Sequence, residues 1–447
     1  MPDYVLLKDA YYGEGGFLAG GYLIKHARET DTNYSNRQKI SFYENYYANI
    51  VNALVDPIFR KDQIRDWGKG VNGDMIQNFV DNCDNNGTPL REFMHDSALR
   101  SKNLGAIFIA VDNFKETPKT MQQAVNNRNF AYAYIIEPEY VDDYAIDRFG
   151  HLTMLKTKEE IETGDNKKIT RVTVYDSQSI KISEDGKLIS EVAHGLGTIP
   201  VVYFPSREGS RKTKSPTSEM EPLARMAKAM YNKQSWLDEI LKNQTFSILT
   251  IPDPSAKDLE IGTNNAITYD GTATTAPSYI APPDGPANTL IAEIKRMTEN
   301  MYRACGLSFI IGTKADTSGE SKKWDFERVN QTLSTFAKRC ETAEKSIVEL
   351  FCKWQNISDS QYSVQYADDF GIIDVATEIQ TAQSVIDLDL VDDLKVEILK
   401  RVLAIYFPEM TGQDVDKLVK RLEEKLREGD YNSTNTNTNP NAGGGSE

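Results

Sequence analysis

One apolar seam limits the folds open to this chain more than any other feature. Phe326, Val329, Leu333, Phe336, Cys340, Ala343, Ile347, Leu350 and Trp354 recur at spacings of three and four, the period that puts side chains on one face of an α-helix. The seam predicts a single helix over residues 323–355, roughly 50 Å long at 1.5 Å per residue. Its heptad-like regularity is that of tight helix packing.

Two more amphipathic stretches precede it. Residues 216–245 carry Met220, Leu223, Met226, Ala227, Met230, Leu237, Ile240 and Leu241 on one stripe, with Pro216 near the start. Residues 288–304 carry Leu290, Ile294, Met297 and Met301. The text between them changes period. Short β-prone runs at 247–251, 266–269 and 278–280 are punctuated by Pro252, Pro254, Pro277, Pro282, Pro283 and Pro286, which predicts a small β module inserted between two helices. Residues 306–321 are rich in small and polar residues and read as a loop.

The rest of the chain sorts around these parts. Residues 1–38, with Gly13, Gly15, Gly16, Gly20 and Gly21 and no clear period, read as an extended arm. A helix is expected over 40–58, with Phe42, Tyr46, Ile50, Leu54 and Ile58 on one stripe, and others near 74–83 and 88–102, the last opened by Thr88-Pro89. Strands are expected at 106–111, 130–136, 152–156, 170–175, 180–182 and 199–204, with an Asp185-Gly186 hairpin turn. Together they predict one α+β domain. A short strand at 362–366 precedes three helices near 374–387, 391–406 and 413–428. Residues 430–447 are rich in Asn, Thr and Gly, a composition that buries no core and is expected to be disordered.

Charge and motifs narrow the chemistry. With 51 Lys and Arg against 66 Asp and Glu, the net charge is −15. Tight phosphate-gripping DNA binding calls for a basic footprint, so strong sequence-specific binding is disfavoured. A surface that DNA passes without sticking fits better. Four cysteines without a C-x-x-C pair argue against a disulfide framework. Four scattered histidines make no metal-ligand spacing. No Walker A loop, dinucleotide fingerprint or G-x-S-x-G elbow is present: Gly312-Thr313-Lys314 and Gly319-Glu320-Ser321-Lys322 are wrongly spaced, and Gly195-Leu196-Gly197 lacks its third glycine. The pairs Asp142-Asp143, Asp368-Asp369 and Asp392-Asp393 read as solvated surface or helix N-termini, not metal ligands. No secretory leader and no membrane-length apolar run is expected. No catalytic residue, cofactor or metal is assigned, and the chain is expected not to be an enzyme.

Three segments, taken in order, resemble the portal family of tailed bacteriophages. Tyr46 to Arg60 is similar to the early portal helix, Gly195-Leu196-Gly197-Thr198-Ile199-Pro200-Val201-Val202 to the strand before the stem, and Gly319-Glu320-Ser321-Lys322-Lys323 with its following helix to the segment after the tunnel loop. The resemblance covers about 40–355 and is nearest to compact portals without a large crown. It implies an α+β portal-like fold: an N-terminal arm (1–39), a wing (40–215), stem helices (216–245 and 288–305) around a β clip (246–287), a tunnel loop (306–322), a long wing helix and strand (323–370), a reduced helical crown (371–429) and a tail (430–447). It implies a ring, usually of twelve copies, at one capsid vertex of the virion. Double-stranded DNA would pass through it non-specifically during packaging and ejection, and major capsid protein, terminase and a tail adaptor would be its partners, with no membrane.

The resemblance also assigns surfaces. Lys314, Asp316, Thr317, Ser318, Glu320, Lys322 and Lys323 would face DNA from the tunnel loop. Glu293, Lys295, Arg296 and Glu299 would form the polar face of the second stem helix. Lys257, Asp258, Glu260 and Asp270 would face the adaptor or terminase from the clip. Two other readings stay open at this point: a different head–tail connector or adaptor, and a nucleotide-processing enzyme, which would need clustered carboxylates beside a nucleotide pocket.

Overall fold

A computed structural model describes residues 2–67, 73–114, 130–162, 164, 167–207, 216–245, 248–252, 266–269, 278–280, 284–311, 319–357, 362–367, 370, 417–418 and 420–421. The chain divides into two compact units, Met1–Phe370 and Gly371–Glu447. In the second unit the described residues, 417–418 and 420–421, are helical. The helices expected at 374–387 and 391–406, most of the one at 413–428, and the tail lie outside the described residues. The first unit is α+β.

The N-terminal segment is helical and packed, not an extended arm. Helix α1 (Tyr4–Tyr12) is capped by the Asp3 carboxylate, which accepts from the Leu6 N–H, and buries Leu6, Leu7 and Ala10. It stops at Gly13, whose φ of +70° is the left-handed closure that glycine adopts without penalty. A single turn, α2 (Gly15–Leu18), buries Phe17. Helix α3 (Asp31–Ile40) opens with a Thr30 cap. The glycines that gave this stretch its loop-like composition are therefore turn and cap residues. The helix expected over 40–58 is two: α4 (Tyr46–Ala53) and the turn α5 (Asp56–Phe59), with Pro57 in its first turn. Phe42 precedes both and is 56% exposed. A missing amide donor at Pro57 forces the restart.

Strand β1 (Ile64–Asp66) leads to helices α6 (Gly73–Asp81) and α7 (Leu90–Leu104). Pro89 occupies the cap of α7, one position earlier than the sequence suggests. Strand β2 (Ala106–Asp112) follows and is central to a sheet of order β3-β2-β9, with β3 (Tyr132–Ile136) and β9 (Val201–Pro205) both antiparallel to it. A second antiparallel sheet is a meander of β4 (Val141–Ile146), β5 (Leu152–Glu162), β6 (Lys168–Tyr175), β7 (Ser179–Glu184) and β8 (Lys187–Ala193). The turn between β7 and β8 has positive φ at Asp185 (47°) and Gly186 (81°), the primed geometry that matches strand twist.

Strand β2 is buried on both faces, which is why it reads as an unbroken apolar run. Its residues alternate between two cores. Ile107, Ile109 and Val111 join the main core of helices, while Phe108 and Ala110 join a smaller one with Leu152, Leu155, Tyr175, Ile180 and Val201 from the sheets.

Helices α8 (Glu221–Thr245) and α9 (Gly285–Ala304) flank a three-stranded module of β10 (Ile248–Pro252), β11 (Ala266–Tyr269) and β12 (Ser278–Ile280). Helix α10 (Gly319–Trp354) is the expected long rod, and β13 (Ser363–Gln365) pairs antiparallel with β1. Helix α10 is not a narrow coiled-coil seam. Ala337, Val348, Phe351 and Cys352 are buried beside the predicted stripe, so a broad face packs into the main core.

Among the described residues, that broad face fully encloses one charge. Glu344 is fully buried on α10. Its Oε1 accepts from Arg65 Nε at 2.7 Å and from the Tyr362 hydroxyl at 2.5 Å, and its Oε2 from Arg65 Nη2 at 3.2 Å and the Tyr366 hydroxyl at 2.6 Å. The cluster ties β1 and β13 to the middle of the rod. Elsewhere in the unit, Arg37 is 2% exposed. It donates to both carboxylate oxygens of Glu29 at 2.9 and 2.8 Å, to the Ile24 carbonyl at 2.8 Å and to the Ser235 hydroxyl at 3.1 Å. These bonds from Arg37 hold the Glu29 carboxyl down at about 2.

Two outcomes follow. Arg65→Ala leaves a buried carboxylate without its cation, and denaturant unfolding should report a loss of about 3–5 kcal/mol. Glu29 titrates lower folded than unfolded, so its contribution is full above the ordinary value of 4.5 and drains away as pH falls toward 2. Glu29→Gln should melt below the unaltered chain at neutral pH, with the gap in melting temperature closing between pH 4.5 and pH 2.

Candidate functional site

The arrangement that sets this molecule apart is a helix pair with a sheet at its end. Helix α8 starts where the body holds it rigidly. Gly105, between α7 and β2, has φ +93°, and a Cβ there would come within 2.7 Å of the Thr217 and Ser218 backbone. The Ser218 hydroxyl donates to the Asn103 carbonyl at 2.6 Å and accepts from the Met220 N–H at 3.0 Å. Lys102, 3% exposed, pairs with Glu219 at 2.5 Å. The N-terminal segment then wraps the next turns. The Tyr231 hydroxyl donates to the Phe17 carbonyl, Asn232 accepts from the Ile24 N–H and donates to the Tyr22 carbonyl, and Ser235 meets Arg37 and Ser41. The sequence signal for this anchoring was weak, because the polar residues Asn232 and Ser235 interrupt the stripe instead of extending it.

Helix α9 returns antiparallel to α8. The Thr298 hydroxyl lies 3.5 Å from the Met230 sulfur, Lys233 Nζ is 3.8 Å from Glu293, and Gln244 Nε2 donates to Asp284 at 3.5 Å. Positions rise along one helix as they fall along the other. Met230, Met297 and Met301 are buried near the body, but Trp236 (39%), Leu241 (43%) and Ile291 (49%) are exposed further out. Relative to expectation, α8 begins at Glu221 instead of 216, and α9 begins at Gly285 instead of 288.

The β module closes the outer end. Strand β10 is central, parallel to β11 and antiparallel to β12, in the order β11-β10-β12. Leu249 pairs with Ala266, and Ile248 with Ile280. Strand β10 follows α8 almost at once and β12 ends shortly before α9, so the Gln244–Asp284 contact and the module share one end of the pair.

The predicted site residues fall into three groups. On α9, Glu293 accepts from Arg296 Nε at 2.7 Å and Nη2 at 2.8 Å and faces Lys233 across the helix pair. Those bonds hold its carboxyl below the usual range. Lys295 is exposed and Glu299 half-buried. The four are thus not equivalent: Glu293 and Arg296 pair along α9, and Glu293 also reaches Lys233 on α8. In the predicted loop 306–322, Leu307 is buried, Ser308–Ile311 form a 3₁₀ turn, and α10 already begins at Gly319. Glu320 and Lys322 therefore lie on the first turn of a helix, not on a loop, and Lys323 follows within it. The signal was present, since a carboxylate at Glu320 is what a helix N-terminus favours. Lys314, Asp316, Thr317 and Ser318, and the clip residues Lys257, Asp258, Glu260 and Asp270, lie outside the described residues.

The acidic pairs Asp368-Asp369 and Asp392-Asp393 lie outside the described residues. Asp142 pairs with Lys156 at 2.6 Å. Cys83, Cys340 and Cys352 are buried free thiols, and Cys305 is half-buried and free. Among the described residues no group of three His, Cys, Asp or Glu side chains is placed to hold a metal ion, and no helix is long and apolar enough to cross a membrane.

No family model matches the sequence, and no curated protein does. Among solved structures, the chain is similar to a component of the virion of a native gene transfer agent particle, at 11% identity and a TM-score of 0.44, covering 86% of this chain and 95% of the other. It is similar to a component of the neck of an empty gene transfer agent particle, at 10% identity and a TM-score of 0.44, covering 79% and 90%. It is also similar to a HK97-family phage portal protein from Corynebacterium diphtheriae, at 10% identity and a TM-score of 0.35, covering 77% and 97%.

Proposed function

We propose that this chain is a portal subunit: a ring-forming structural protein at one vertex of a virion capsid, through which double-stranded DNA passes during packaging and ejection. The observation that carries the reading is the antiparallel pair α8 and α9 with a three-stranded sheet at its outer end. A rod that projects from a braced body places its tip where neighbouring copies can meet around a central axis. Ring closure uses two different faces of each subunit. Trp236, Leu241 and Ile291, uncovered on the outer half of the rod, supply apolar area for such neighbours. The net charge of −15 suits a channel that repels the phosphate backbone instead of retaining it.

In this reading the ring holds about twelve copies, as in the family it resembles. The β module docks a tail adaptor or terminase, the outer body meets the major capsid protein, and Lys322 and Lys323 at the start of α10 touch DNA transiently. The ring translocates DNA without an activity of its own and needs no cofactor.

Negative-stain images of the purified full chain should show rings with a central hole, and rotational averaging should count the copies. A chain that stays monomeric or dimeric at every concentration overturns the reading. Removing 246–287 should leave rings of the same symmetry while abolishing adaptor binding in a pull-down.

A further inference from the structure

A cleft of about 280 Å³ opens between β9, the turn joining β4 to β5, and the middle of α10. It is lined by Ile146, Tyr203, Arg207, Arg339, Thr342 and Ser346, among others. The two hydroxyls are occupied, each donating to a backbone carbonyl four residues back. The two guanidinium groups are not. Among the described residues neither forms an ion pair, and Arg339 Nε is shut off from solvent with no acceptor. A charged donor in that state lacks a partner that folding alone has not supplied. Phe149, 67% exposed with Arg148 over its ring at 4.7 Å, stands on the same turn, and an exposed aromatic beside arginines is typical of an interface centre.

The opposite end of β5 carries the complementary chemistry. Beyond Thr157 it loses its partner β4, and β7 pairs with β6 no further than Arg171. Asp185 still holds Thr170 through two hydrogen bonds, and beyond it Ile161–Glu162 against Lys168–Ile169 is a two-stranded ribbon, a form marginal by itself in water. Glu160 and Glu162 are exposed and lie on one face, about 7 Å apart at strand spacing, with Glu162 3.8 Å from the equally exposed Lys168 ammonium, a solvent-screened pair that a cleft arginine can replace. Cleft and ribbon tip are separated by the length of β5, about 35 Å for its 11 residues, so within one copy these carboxylates do not reach the cleft arginines.

We propose that the Arg207–Arg339 cleft is a socket for the carboxylates of Glu160 and Glu162 from a second copy of this chain. Two planar guanidinium groups match carboxylates geometrically. The surplus of acidic over basic residues makes every other copy rich in the required charge. The cleft has room for two side-chain ends. The contact is head-to-tail, as ring closure demands, and it rests on the ring reading above.

The test is charge exchange in the full chain, read by native mass spectrometry and negative-stain imaging. Arg207→Glu with Arg339→Glu in one variant, and Glu160→Arg with Glu162→Arg in another, should each need at least about tenfold more protein to assemble. An equal mixture of the two should form rings of alternating copies, and a chain with all four changes should form rings alone. Thermal melts of each variant establish that it is folded, and the ribbon variant, altered only at exposed positions, guards against misfolding at the cleft. If the separate variants assemble like the unaltered chain, or folded variants stay apart when mixed, the socket is wrong while the ring stands. If the cleft variant forms normal rings but loses retention of a short DNA duplex, the cleft holds phosphate and the proposal is overturned. If the unaltered chain forms no rings, the ring reading itself fails and takes the socket with it.

Discussion

The double burial of β2 is the constraint on which the rest of the molecule depends. Odd-numbered residues from Ile107 to Val111 enter the helical core, while Phe108 and Ala110 enter the core between the two sheets. A strand in that position cannot slip by one residue without reversing both sets. Its start is pinned at Gly105, where a backbone approach too close for any Cβ brings the 217–218 segment against the end of α7. The pairing of buried Lys102 with half-buried Glu219 and the Ser218 hydroxyl then set the direction in which α8 leaves the body. The aim of the projecting helix pair is thus set by packing some distance from its tip.

Support for that pair is uneven. Its inner half is held by the N-terminal segment, through Phe17, Tyr22, Ile24 and Arg37, and by methionines that fill the space between helices and body. Its outer half is braced by Glu293 between Lys233 and Arg296, with apolar side chains left facing outward. A helix pair built this way is held firmly at its root and leaves apolar side chains uncovered toward its end. The buried Glu344 cluster works differently. A fully enclosed carboxylate with a guanidinium and two phenols is weak evidence for added stability, but it holds β1 and β13 to one position along α10.

The sequence by itself determined the parts whose hydrophobic period is unmistakable. The long rod of α10, the two helices around a proline-bounded β module, the apolar run of β2 and the Asp185-Gly186 turn were all legible, because side-chain period and turn chemistry are local properties. Tertiary structure alone decided the others. The glycine-rich N-terminus packs as helices because Leu6, Leu7, Ala10 and Phe17 meet a surface supplied by residues some 200 positions later. Strands β4 and β8 exist because β5 and β7 offer edges to pair with, not because their own residues alternate strongly. Charged residues within apolar patterns, Arg37, Arg65 and Glu344, look like solvated surface in a linear reading. Glu344 is buried and Arg65 mostly buried because each is the other's distant partner, and Arg37 is buried because nearby Glu29 and far-off Ser235 both reach it; such contacts leave no periodic trace in the sequence.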